Sequence, residues 1–156
     1  MAECCSNLFT DFTFQDLKSA EPPAKKGVYV IKVSGRGEVS PEFMIVQTEK
    51  LISRIGWNLV TKFIINRVKR LDKIGSCPII YMGSAGGRRR SKNTLKDRYE
   101  EFPNRHTAMY PLWVLLYFGW ELELGWKTCL NPLQEEDELK RKYRDMHNEL
   151  PALVGR

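Results

Sequence analysis

The sequence predicts an α+β fold, a small mixed or antiparallel β-sheet flanked by helices, on three observations. Short β-branched and aromatic runs bounded by glycines or turn residues (GVYVIKV, CPIIYMG, ELELGW) carry the strand signature. Residues 49–73 and 131–148 instead repeat their apolar positions every three or four residues, the helical period. The two kinds interleave as strand, strand, helix, strand, helix, strand, strand, helix, an order that packs helices against one sheet. The 156 residues are enough for one domain with a real core, because chains of about 150 residues bury roughly two-thirds of their unfolded surface.

Residues 1–26 read as a loose N-terminal arm with a short helical stretch around Phe14 to Ala20, stopped by Pro22 and Pro23. The domain proper, 27–156, opens with a strand over Gly27 to Val33, which ends at the turn signal Ser34-Gly35-Arg36-Gly37. Glu42 to Gln47 reads as the returning strand. From Glu49 to Lys73, Leu51, Ile55, Leu59 and Phe63 recur every four residues, so one long or two short amphipathic helices are expected, with a break available at Gly56. The polar face of this segment carries Lys50, Arg54, Lys62, Arg67, Lys69, Arg70 and Lys73.

Cys77 to Gly83 is a third strand, entered through Pro78. Asn93 or Thr94 can cap a helix over Leu95 to Phe102, which Pro103 is expected to end. Strands are expected at Leu112 to Phe118 and at Glu121 to Trp126, the second alternating Glu121 and Glu123 with Leu122 and Leu124. Asn131-Pro132-Leu133-Gln134 joins a cap residue to Pro at the first helical position and starts a helix running to about Asn148. Its inward stripe is read as Leu139, Tyr143, Met146 and Leu150.

Charge is distributed unevenly. Residues 1–49 hold five Lys and Arg against seven Asp and Glu; residues 50–105 hold fourteen against four; residues 106–156 hold six against eight. The net of +6 is therefore +10 in the middle flanked by −2 on either side. A basic segment between two weakly acidic ones is the footprint of a polyanion-binding face. Four Trp, six Tyr and seven Phe exclude a disordered chain. The longest apolar stretch, Tyr110 to Trp120, is half of what a spanning helix needs, and the first residues lack the features of a secretory signal, so a cytoplasmic protein without membrane contact is expected. Cys4, Cys5, Cys77 and Cys129 form no Cys-x-x-Cys pair, and reduced thiols are expected.

Several residues fit a purely structural role poorly. On helix 95–102, Leu95, Tyr99 and Phe102 fall within about 60° of one another and Arg98 flanks them, either snorkelling or aiming its guanidinium at an anion. Glu135 and Glu136 border the inward stripe of the last helix, where a carboxylate is ion-paired or holds a hard cation. Tyr29 and Tyr81 each sit beside a glycine on a short strand, and a buried phenol needs a hydrogen-bond partner.

In chain order, Gly27-Val28-Tyr29, Tyr81-Met82-Gly83, Leu95-x-x-Arg98-Tyr99 and Glu136-x-x-Leu139 resemble the motifs of the GIY-YIG nuclease superfamily, from Gly27 to Leu153. The resemblance implies a metal-dependent DNA endonuclease. Tyr29 would be the general base, with Tyr81 orienting it or the attacking water; Arg98 would stabilise the scissile phosphate; Glu136 would hold Mg²⁺ or Mn²⁺. Arg88, Arg89, Arg90 and Lys92, with Lys69 and Arg70, would contact the DNA backbone, and cutting both strands would favour a homodimer. The chain departs from the pattern in three ways. Tyr29 and Tyr81 lie 52 residues apart, which makes helical residues 49–73 an insertion. Val154 stands where the family has Asn, leaving Asn148 as a substitute. Phe102 replaces a His found in some members, with His106 the nearest alternative. A degenerate domain that binds nucleic acid without cutting it, and a protein-interaction domain in which Arg98 and Glu136 form an ion pair, are the competing readings.

Overall fold

Strand β2 (Gly27–Gly35) is the spine of the molecule, with the seven residues from Gly27 to Val33 all buried or half-buried. It pairs antiparallel with β3 (Ile79–Ala85) on one side and with β4 (Glu121–Thr128) on the other. Strand β1 (Thr13–Asp16) joins the far side of β4, giving the order β1-β4-β2-β3. The computed structural model describes residues 5–56, 58–87, 93–105 and 108–155, the backbone alone at Arg105, and among them five α-helices surround this antiparallel sheet. The α+β reading of the sequence holds. None of the described helices is long and apolar enough to cross a membrane.

The pleat sorts the core into two layers. Tyr29, Ile31 and Val33, with Leu122, Leu124 and Trp126 beside them on β4, face a cluster completed by Met44, Val68, Leu71, Leu95, Phe102, Leu112 and Leu115 from the helices. Val28, Val30 and Met82 face the opposite way, toward Phe9, Phe12, Leu139 and Tyr143.

Three local expectations are corrected. Residues 42–47, expected as a strand, begin helix α1 (Pro41–Ser53), because Ser40 caps the Phe43 amide at 3.3 Å and Pro41 takes the first helical position. Leu112 to Phe118, also expected as a strand, lies in α4 (Met109–Tyr117), apart from Phe118 as its cap; Met109, Leu112 and Leu115 are buried at helical spacing. Short apolar runs do not distinguish the two periods, and here the i, i+3 pattern prevails. The expected helix near Phe14 is strand β1, and the arm is not loose: Phe9, Phe12, Leu17 and Ala20 are buried. Gly125 makes that pairing work, since an added Cβ would lie 2.3 Å from the Phe14 ring.

The helical segment before β3 does break near Gly56 (φ +107°), and α2 (Leu59–Val68) restarts from an Asn58 capping box. That break resets the helical phase. Leu51, Ile55, Leu59 and Phe63, spaced as a stripe in the sequence, are exposed on both sides of the break, while Ile52, Thr61, Ile65 and Val68 point inward. A short 3₁₀ turn, Lys69–Lys73, carries the chain back toward β3. Helix α3 (Leu95–Arg105) runs through Pro103 to Arg105, losing only the bond that Pro103 cannot donate in the last turn. Helix α5 (Pro132–His147) buries Leu139 and Tyr143, but Met146 is exposed and His147, one turn beyond Tyr143, turns toward the core.

Candidate functional site

The C-terminal end of β3 lies between α3 on one face of the sheet and α5 on the other. A cavity of about 470 Å³ opens there, lined by Tyr29, Tyr81, Arg98 and Glu136, with Asn93 and Asp137 at its margin. Four separate elements thus deliver the four residues singled out by their motifs to one space: β2, β3, α3 and α5.

Tyr29 is 2% exposed. Its ring stacks on Tyr81 at 6.0 Å between centroids, and Phe102 meets it edge-on at 5.8 Å. Phe102 is therefore a wall that fixes the Tyr29 ring. Gly83, opposite Tyr29 in the β2–β3 ladder, is the other wall: a Cβ there would lie 2.5 Å from the Tyr29 hydroxyl oxygen. Glycine at this strand position is required because the phenol occupies the space a side chain would take.

The hydroxyls of Tyr29 and Tyr81 are hydrogen-bonded to each other, and Arg98 also bonds Tyr29. Burial, then the neighbouring Tyr81, pushes the Tyr29 pKa well above that of an ordinary phenol, and the charge and hydrogen bond of Arg98 offset only part of this. Tyr81 is raised as well, first by burial and then by Glu136, but the Tyr29 hydrogen bond, Arg98 and Arg70 all act to lower it. Of the two phenols, the half-buried Tyr81 is raised less than the fully buried Tyr29. Arg98 is partly desolvated, which lowers its pKa, yet Tyr29 and Tyr81 outweigh that and raise it. One of its guanidinium nitrogens is 3.7 Å from Glu101, and its buried Nε has no hydrogen-bond partner among the described residues.

Glu136 has a side chain only 14% exposed. Ser84 donates its hydroxyl to Oε2, and Lys140, one turn along α5, pairs with Oε1. Arg98 and Glu136 have separate partners, Glu101 and Lys140. Glu135 points elsewhere, 2.8 Å from Lys127, which also meets Asp11 at 3.0 Å. The oxygen donors Glu136, Asp137 and Ser84 suit a hard cation that retains waters.

The other expected residues are more dispersed. Arg70 is close enough to Tyr81 to act on its ionisation, and burial followed by Arg67 lowers its own pKa. The Lys69–Lys73 turn thereby adds a cation beside the phenol pair. Lys69 instead pairs with Glu49 at 3.3 Å on the outer surface. Asn148 adopts the left-handed conformation (φ 60°) as the C-cap of α5 and lines a separate depression with Lys73 and Val154. Arg88, Arg89, Arg90, Lys92 and His106 lie outside the described residues, but Gly87 and Asn93, which flank the basic segment, both line the cavity.

Sequence reasoning missed Ser84, Asp137, Asn93 and Lys140. Lys140 carried a signal, four residues after Glu136 on one helix face. Ser84 carried a weaker one, sharing a face with Met82 two residues earlier on β3. No protein-family model, curated protein or solved structure matches the chain.

Proposed function

We propose that the chain is a metal-dependent DNA endonuclease of GIY-YIG type, hydrolysing phosphodiester bonds in the cavity at the end of β3. The observation that carries this reading is the convergence of Tyr29, Tyr81, Arg98 and Glu136, distant in sequence, on one space of about 470 Å³. Arg98 in the cavity and Arg70 near Tyr81 supply the positive surroundings that a phosphate backbone requires.

The electrostatics favour Tyr81 rather than Tyr29 as the proton acceptor. Tyr81 is the more accessible phenol, and its hydrogen bond to Tyr29 together with Arg98 and Arg70 favours its ionised form. Tyr29, stacked on Tyr81, holds it in register. The Arg98 fork, anchored through Tyr29, is suited to charge growing on the phosphoryl oxygens. Glu136, with Ser84 and Asp137, would hold Mg²⁺ or Mn²⁺, which would supply Lewis acidity at the leaving 3′ oxygen and cancel the carboxylate charge opposing Tyr81 ionisation. The second reading, a degenerate domain that binds DNA without cutting it, is favoured by Val154 and by the partner that each Glu136 oxygen already has within the protein.

Supercoiled plasmid incubated with the protein and Mg²⁺ or Mn²⁺ separates the two. The nuclease reading expects nicking that falls by about 10²- to 10⁴-fold in Tyr81→Phe, as for loss of a general base, and less in Tyr29→Phe. Salt-sensitive DNA binding without nicking by the wild type under either metal would establish the degenerate reading instead. Absence of both binding and nicking would remove nucleic acid altogether.

A further inference from the structure

Away from the cavity, three residues with soft-metal chemistry meet beneath the other layer of the sheet. Cys5, 1% exposed, precedes the first 3₁₀ turn (Ser6–Phe9); Cys77 precedes Pro78 at the start of β3; His147 ends α5. Their ligand atoms all lie within 4.8 Å of one another. The Cys5 and Cys77 sulfurs are 3.3 Å apart. The His147 ring rests on Tyr143 at 4.2 Å between centroids, and its Nε2 is buried with no hydrogen-bond partner among the described residues.

The geometry points to a structural metal site at Cys5, Cys77 and His147 that takes Zn²⁺ or a similarly soft ion. Two thiolates and an imidazole form a donor set typical of zinc and unsuited to Mg²⁺. Tetrahedral zinc with bonds of about 2.3 Å to sulfur sets two thiolates roughly 3.8 Å apart, so closure requires movement of about half an ångström. A disulfide would require the sulfurs to approach to about 2.05 Å, a much larger shift. The imidazole decides between them: a disulfide leaves a buried nitrogen unsatisfied, whereas a metal takes its lone pair. Solvent or an added ligand completes the fourth position.

The consequence is mechanical. The site ties the N-terminal segment to the start of the strand bearing Tyr81 and to the end of the helix bearing Glu136, independently of what the cavity does. Because such a site is absent from the unfolded chain, metal binding adds to folding stability. It also explains the inward turn of His147 in place of Met146.

Reduced protein stripped with a chelator and titrated with Co²⁺ tests this without any substitution. One equivalent should produce the thiolate charge-transfer band and the d–d bands of a tetrahedral site, and Zn²⁺ should displace both. Zn²⁺ should raise the melting temperature of the wild type and of Cys129→Ser. In Cys5→Ser, Cys77→Ser and His147→Ala, Zn²⁺ affinity should fall by more than the roughly 10- to 100-fold typical of changes outside the ligand shell. Absence of the tetrahedral spectrum in the wild type would overturn the proposal, as would its retention in Cys5→Ser or Cys77→Ser. So would a Cys5–Cys77 disulfide forming in air at the same rate with and without saturating Zn²⁺.

Discussion

Replacing Gly83 with alanine places a methyl group 2.5 Å from the Tyr29 hydroxyl oxygen and 2.6 Å from its Cζ, against an ordinary contact of about 3.5 Å. An overlap of about 1 Å must be relieved by movement of the ring or the strand. The ring has little room: Tyr29 is 2% exposed, with Tyr81 and Phe102 against it at 6.0 and 5.8 Å. Overpacking of this kind costs about 1–3 kcal/mol. For a chain of this size that lowers the melting temperature by roughly 2–12 °C. Because the displaced ring positions Arg98 and Tyr81, a shift near 1 Å should also reduce nicking by about 100-fold, beyond any loss of folded protein. Thermal melts paired with plasmid nicking below the melting temperature separate the two effects. Gly75→Ala is the control, since its Cβ would meet nothing within 4 Å. A Gly83→Ala protein that melts and nicks like Gly75→Ala would refute the claim that this glycine exists to admit the phenol.

Two further outcomes are expected. Lys140→Met removes the ammonium that pairs with Glu136 and should lower the Mn²⁺ concentration for half-maximal nicking by about two- to fivefold; an unchanged metal dependence would mean that Glu136 is not the ligand. Asp97 accepts hydrogen bonds from the Thr94 amide and hydroxyl, each at 2.9 Å, and these hold its carboxyl below the usual range. Its folded pKa is depressed, so the stability it contributes is present above the unfolded value of about 3.9 and is lost as pH falls through the folded one. Asp97→Asn should therefore melt below wild type at neutral pH, with the gap closing in acid; a gap constant with pH would contradict this.

The sheet was legible wherever a strand alternated or followed a glycine, as in Gly27 to Val33 and Glu121 to Trp126. Helix identity was harder. Residues 42–47 and 112–118 are short, apolar and β-branched or aromatic, and only Ser40-Pro41 and the i, i+3 burial of Leu112 and Leu115 reveal them as helical. The four-residue apolar stripe Leu51, Ile55, Leu59 and Phe63 runs across the break at Gly56 and is exposed, while the inward face is carried by Ile52, Thr61, Ile65 and Val68. The cavity residues could be named because each lies in a short local motif. Their partners could not: Ser84 reaches Glu136 across 52 residues, and Cys5 reaches Cys77 across 72. Local spacing rules for metal ligands do not register contacts that only the folded sheet creates.

Arg98 offers the most direct test of the central claim, because it bonds Tyr29 and faces the space where a phosphate would lie. Under single-turnover conditions with Mg²⁺ or Mn²⁺, wild-type protein should cut a labelled DNA duplex to leave 5′-phosphate and 3′-hydroxyl ends. Arg98→Ala should lose about 10²- to 10³-fold in rate, the scale of removing one donor to a developing oxyanion, while remaining folded and able to bind DNA. Cleavage at the wild-type rate by Arg98→Ala, or no cleavage by the wild type, would contradict the assignment of this cavity as a phosphodiester-cleaving site.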